Sequence, residues 1–140
     1  MKRKNTPQII IVDDEPDYIC LIQVALKGCY PYPTIKVLHS GADLLDWLEM
    51  SHRPSLIFLD INMPSSSGFD VLKMLKSVDK YKVIPVVMLT VSEDREDVVD
   101  SYQYGASAFM TKPMSFDELV SRMQLFCHYW FDIAQTPDRS

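Results

Sequence analysis

Glycine, histidine and cysteine are all scarce in this chain, at four, three and three of 140 residues. Cys20, Cys29 and Cys127 are odd in number and lack ligand spacing. That excludes a disulfide framework and a thiolate metal site, and reads as idle thiols in a reducing cytosol. His39, His52 and His128 fall on separate elements, so an imidazole metal site is not expected either. No apolar run is long enough to span a membrane. Lys2, Arg3 and Lys4 ahead of residues 9–12 mimic a secretion signal, but the apolar run is short and Asp13-Asp14-Glu15 stops it. The expected location is therefore cytoplasmic. Basic residues are outnumbered, 14 against 19 acidic, for a net charge of −5 and a pI near 5.0. Such a balance argues against a sequence-independent grip on nucleic acid.

What is present is a core-forming pattern. The 47% hydrophobic content suits one packed domain. Apolar runs at 8–12, 34–38, 56–60, 84–90 and 107–111 read as strands, with Pro85 admissible only near the start of the fourth. Between and after them lie five helical patterns. Pro16 suits the first turn of the first, which shows Ile19, Ile22, Val24 and Leu26 and ends near Gly28. Pro31 and Pro33 connect it to the second strand. Ser40 caps a helix to Met50 carrying Leu44, Leu45, Trp47 and Leu48. The third helix runs from Gly68 to about Val78, capped by Ser67, with Val71, Leu72 and Leu75 inside. Ser92 is the expected cap of the fourth, which reaches Tyr104 before Gly105; its charges at 93–97 read as a solvated face. Ser115 and Glu118 form a capping box for the last, which is expected to continue through Trp130 to about Ala134.

Strand and helix thus alternate five times. This predicts an α/β fold: a five-stranded parallel, doubly wound (β/α)5 sheet in a three-layer sandwich of flavodoxin-like type. Residues 8–134 form the single expected domain, with flexible tails at 1–7 and 135–140.

The most informative stretch is 55–68. Four apolar residues run into Asp60, and Asn62, Pro64 and Gly68 then break the chain. Asp60 is therefore expected at the carboxyl end of a strand buried on both faces, the rim where open α/β sheets bind ligands. The same rim receives Asp13 and Asp14 from the first strand, Thr90 from the fourth and Lys112 from the fifth. Three crowded carboxylates raise one another's pKa unless a cation intervenes. Oxygen-only ligands suit a hard cation, and few protein ligands with water filling the rest suit Mg²⁺ better than Ca²⁺. Thr90 and Lys112 add a hydroxyl and a fixed positive charge. Together with the metal they would cradle a phosphoryl group, leaving Asp60 as the nucleophile that forms an acyl phosphate.

These residues carry a resemblance. Asp13-Asp14, Asp60-x-Asn62-Met63-Pro64-x-x-x-Gly68, Thr90 and Phe109-x-x-Lys112-Pro113 resemble the receiver domain of two-component response regulators, over roughly residues 8–125. The form is stand-alone and CheY-like. The extended aromatic carboxyl terminus is also similar to bacterial regulators that partner phytochrome-type kinases. The resemblance implies a phosphoacceptor switch rather than an enzyme, catalysing only its own phosphorylation and dephosphorylation within a phosphorelay. It implies transfer to Asp60 from a histidine kinase phosphohistidine, with a downstream protein target or a relay phosphotransfer protein as the next partner. Asp14, Asp60 and the Asn62 backbone carbonyl are implied as direct Mg²⁺ ligands and Asp13 as a water-mediated one. Lys112 is implied to pair with Asp60 and then with the phosphoryl oxygens. Thr90 and Phe109 take the switch positions, and the Lys112-Pro113 bond is expected to be cis.

Three positions depart from the usual pattern. Val91 is bulkier than the common small residue, Ser67 stands for an acid, and Phe109 stands for a tyrosine. A flavodoxin-like electron carrier shares the alternation, but Asp13-Asp14-Glu15 would repel the phosphate its first loop must cradle. A degenerate receiver that only binds partners is opposed by the intact acids, Thr90 and Lys112.

The final helix predicts a further surface. Phe116, Leu119, Val120, Met123, Phe126, Cys127 and Trp130 form a core stripe, while Leu125, Tyr129 and Phe131 fall off it. Large apolar groups on two faces of an edge helix predict a homodimer through that helix, the alternative being a tail that folds back to cover them.

Overall fold

The computed structural model describes residues 6–29 and 32–138. The first five residues of the expected amino-terminal tail, the last two of the carboxyl-terminal tail, and Pro31 in the first connection lie outside them. Five strands, β1 (Gln8–Val12), β2 (Thr34–Leu38), β3 (Leu56–Asp60), β4 (Val86–Thr90) and β5 (Ala108–Thr111), alternate with helices. The helices are α1 (Pro16–Lys27), α2 (Gly41–Glu49), α3 (Gly68–Ser77), α4 (Arg95–Gln103) and α5 (Phe116–Cys127). All strand pairs are parallel, in the order β2-β1-β3-β4-β5. The order reverses direction between β1 and β3, which opens a crevice at their carboxyl ends.

β3 and β4 are buried throughout and β1 nearly so, which is why they read as unbroken apolar runs. β2 alternates between exposed and half-buried positions, as an edge strand with one covered face does. Successive side chains divide between two cores. Ile10, Val12, Ile57, Leu59, Val86 and Met88 pack with α2 and α3. Ile9, Ile11, Phe58, Val87 and Leu89 pack with α1 and α5. The three-layer doubly wound architecture expected from the alternation is thus present. Among the described residues no helix is long and apolar enough to cross a membrane.

Several boundaries move for physical reasons. β4 begins at Val86 because Pro85 has no N–H to donate, although its carbonyl accepts a bond from the Ile57 amide. Asp94, not Ser92, caps α4: the Asp94 carboxylate accepts from the Glu96 amide, while the Ser92 hydroxyl accepts from the Asp94 amide one turn earlier. Val24 is exposed, and Tyr18 and Ala25 are buried in its stead on the inner face of α1.

The largest departure is at the end of α5. The α-helix stops at Cys127 and residues His128–Ile133 are wound as a π-helix. Leu119, Met123 and Cys127 hold the core side of α5, and the wider turn then carries Phe131 onto that same side, where it is buried. The sequence pattern put Phe131 on the outer face because it assumed an unbroken 3.6-residue period. Phe116, expected in the stripe, is instead 40% exposed.

The expected tails are also partly held. Pro7 is buried and its carbonyl accepts from the Thr34 amide. Thr136 is buried, and Asp138 accepts a 2.6 Å bond from the Ser55 hydroxyl, which itself accepts from the Gln8 amide. A fully buried serine at the start of β3 needs such partners, and Asp138 supplies one.

Candidate functional site

The strand register aligns the chemistry. Val12 pairs with Leu59, Asp60 with Leu89 and Thr90 with Thr111, so the carboxyl ends of β1, β3, β4 and β5 finish on one rim. Asp13 and Asp14 follow β1, Asp60 ends β3, Thr90 ends β4 and Lys112 follows β5. The carboxylates of Asp13, Asp14 and Asp60 approach so closely that one oxygen from each lies within 4.8 Å of the others.

Asp13 is fully buried and well partnered. One oxygen accepts from the Glu15 amide at 2.9 Å, and the other meets the Lys112 ammonium at 2.9 Å. Its carbonyl lies 3.3 Å from His39 Nδ1, so that histidine borders the site without entering the acid cluster. Asp60 is 5% exposed. Its Oδ1 accepts from the Asn62 amide at 3.3 Å and stands 3.7 Å from Lys112 Nζ. Lys112 therefore touches both acids, and the shorter pair is with Asp13.

Burial is the main reason that the Asp60 carboxyl is pushed up to about 6; Lys112 and the Asn62 amide pull it down, and Asp13 and Asp14 push it further up. One ammonium balances one of three carboxylates. Two negative charges are left over in a low-dielectric rim, which a divalent cation would balance. All three acids offer oxygen, the donor that hard divalent cations take.

The loop after Asp60 is built around a close approach. The Gly68 amide donates to the Ile61 carbonyl at 2.7 Å. A β-carbon on Gly68 would come within 2.3 Å of the Asp60 carbonyl oxygen and 2.7 Å of the Ile61 α-carbon, so no side chain fits. Ser67 caps α3 by accepting from the Phe69 amide, as its position predicted. Asn62 reaches across the loop, donating from Nδ2 to the Thr90 hydroxyl oxygen at 3.2 Å. That oxygen also accepts from the Ser92 amide at 3.1 Å. Both bonds use Thr90 as acceptor, which leaves its hydroxyl proton to give.

The geometry unites Asp13, Asp14, Asp60, Asn62, Thr90 and Lys112. Phe109 is not in that cluster: it is half-buried and packs against the core beneath α3. Val91 is exposed beside the rim. Tyr18 is the residue that the sequence reading overlooked. It is buried, and its ring lies 4.3 Å from Lys112 Nζ. Burial, with Asp13 and then Asp60 nearby, raises its phenol well above the ordinary value. The available signal was its place in the first turn of a helix that starts on the rim. His52 stacks on Trp47 and His128 pairs with Asp132, both on other elements.

The description "Response regulator receiver domain" belongs to a family model that matches residues 9–124. Response regulator Rcp1 of Synechocystis is 31% identical over 140 residues, covering 95% of both chains. Among solved structures, the phosphorylated cyanobacterial phytochrome response regulator RcpA superposes with a TM-score of 0.88 at 29% identity, covering 95% of this chain and 99% of that one. The Mn²⁺-bound form of Rcp1 superposes with a TM-score of 0.85 at 31% identity, covering 94% of this chain and 99% of that one.

Proposed function

We propose how the site works from one premise: this chain belongs to the response regulator receiver domain family. Members of that family act in two-component signalling, receiving a phosphoryl group on an aspartate from a histidine kinase and binding a divalent metal. In our reading Asp60 is that aspartate. The supporting observation is the Asp60 carboxylate itself, buried at the end of β3 with a positive charge 3.7 Å away and two further acids beside it.

Asp60 attacks phosphorus, the phosphorus–nitrogen bond of the donor phosphohistidine breaks, and the departing imidazole takes up a proton. Lys112 and the spare Thr90 hydroxyl proton then meet the phosphoryl oxygens, which carry more charge than the carboxylate they replace. Thr90 moves toward the phosphoryl group to give that proton, and Phe109 on β5 follows in the family's switch position. A divalent cation held at the acid cluster would supply charge neutralisation during the transfer. We assign it as Mg²⁺, held by Asp14, Asp60 and the Asn62 backbone carbonyl, with Asp13 acting through water. Asp13 is suited to an indirect role because Lys112 and the Glu15 amide already engage both of its oxygens.

The likeness to RcpA, a phytochrome response regulator, supports a phytochrome-type histidine kinase as the donor. A second copy of this chain is the proposed partner of the final helix. Leu125 and Tyr129 are exposed there and, with Ala108, Arg122, Phe126 and Trp130, line a shallow groove of about 440 Å³ beside β5. The test of the phosphoacceptor is transfer from a purified phosphorylated histidine kinase with Mg²⁺. Wild type should take up label and Asp60→Asn should take up none. Equal labelling of the two would defeat the assignment.

A further inference from the structure

Lys112 is held from three directions, and only two are carboxylates. Its Nζ stands 2.9 Å from Asp13 Oδ2, 3.7 Å from Asp60 Oδ1 and 4.3 Å from the centre of the Tyr18 ring. Lys112 is 8% exposed and Tyr18 6%, so the cation and the ring meet without intervening solvent. A desolvated pair of this kind is several times stronger than one at the surface. Tyr18 is in the first turn of α1, which begins on the same rim as the acids. Its hydroxyl is buried and, among the described residues, has no hydrogen-bond partner. The ring, not the hydroxyl, is therefore what the site uses.

A ring also solves a charge problem. The site already carries three carboxylates, and a further acid to anchor Lys112 would deepen the imbalance. An aromatic face attracts the ammonium while adding no net charge. Without it, Asp13 alone among the described residues would hold the Lys112 ammonium back from Asp60.

We propose that Tyr18 is a positioning residue whose ring seats the Lys112 ammonium beside Asp13, within reach of a phosphoryl group on Asp60 but clear of the attacking oxygen. The functional half of this rests on Asp60 as phosphoacceptor; the seat itself does not.

Two readouts test it on the full chain. The first is the rate of phosphorylation by acetyl phosphate, with the Mg²⁺ midpoint measured alongside. Tyr18→Phe keeps the ring and should stay within about twofold of wild type, whereas Tyr18→Leu should be slower by about tenfold, with the Mg²⁺ midpoint unmoved in both. The second is the proton resonance of the Lys112 ammonium, assigned through Lys112→Arg. It should be shifted upfield by the ring current in wild type and Tyr18→Phe, and return to the ordinary position in Tyr18→Leu. Equal slowing by Phe and Leu, or an unshifted Lys112 resonance in wild type, overturns the proposal. If wild type takes no phosphoryl group yet its Lys112 resonance is ring-shifted, the Asp60 reading fails and the seat is upheld. Should Tyr18→Leu not fold, Tyr18→Met replaces it, and the wild-type resonance decides by itself.

Discussion

Burial raises the Asp60 carboxyl to about 6 against the pull of Lys112, so without a metal this residue works against the fold at neutral pH. Its unfolded value is about 3.9. Between the two values the folded chain holds a proton that the unfolded chain has released. Stability from this group therefore falls as pH rises from about 4 through 6. The difference corresponds to roughly 2–3 kcal/mol above that window. Asp60→Asn, neutral at every pH, should exceed wild type by about that much at pH 7 in chelator. The excess should vanish below about pH 4 and shrink when Mg²⁺ is restored. Urea unfolding of both proteins across pH measures it. A gap that does not change with pH would mean that Asp60 is not strained by charge. Tyr18 shows the limit of reading single residues in a sequence. An aromatic four positions beyond Asp14 looks like ordinary core, and its meeting with Lys112 requires α1 and β5 to be brought to one rim. Asp13, Asp14, Asp60, Thr90 and Lys112 were legible because each stands where an apolar run stops.

Helix α5 and its π-helical extension show what element-scale patterns miss. The sequence marks the capping Ser115 plainly, and its hydroxyl does accept from the Glu118 amide at 3.1 Å. It contains no comparable mark for a change of winding at Cys127, because a π turn alters the period without needing a breaker residue. The consequence is testable on two neighbouring aromatics. Phe131 is 7% exposed and packs in the core between the sheet and α1, whereas Tyr129 is 51% exposed. Phe131→Ala should cost about 3–4 kcal/mol of unfolding free energy. Tyr129→Ala should stay within about 0.5 kcal/mol. The reverse ranking would indicate a continuous α-helix here, with Phe131 outward. α4 makes the same point at its other end. Ser92 and Asp94 are both good caps, and the choice between them is made by the Ser92 amide, which is committed to the Thr90 hydroxyl. A local bond to a site residue, two positions back, thus goes with a helix that starts one short turn later.

At the scale of the whole molecule, one end of the sheet gathers charge and the final helix presents apolar surface. The two-fold contact proposed for α5 relies on Leu125 and Tyr129, since Phe131 is committed to the core. Sedimentation of wild type against Leu125→Ala/Tyr129→Ala should show the dimer weakened at least tenfold with the monomer still folded. A wild type that stays monomeric at high concentration would leave that face for another partner. Everything proposed for the rim follows from where the phosphoryl group goes. Treating the Mg²⁺-loaded protein with acetyl phosphate and then with borohydride converts an acyl phosphate to the corresponding alcohol, which peptide mass spectrometry can locate. Homoserine is expected at position 60, with aspartate retained at positions 13 and 14. Homoserine at 13 or 14 in place of 60, or none at any of the three, would contradict it.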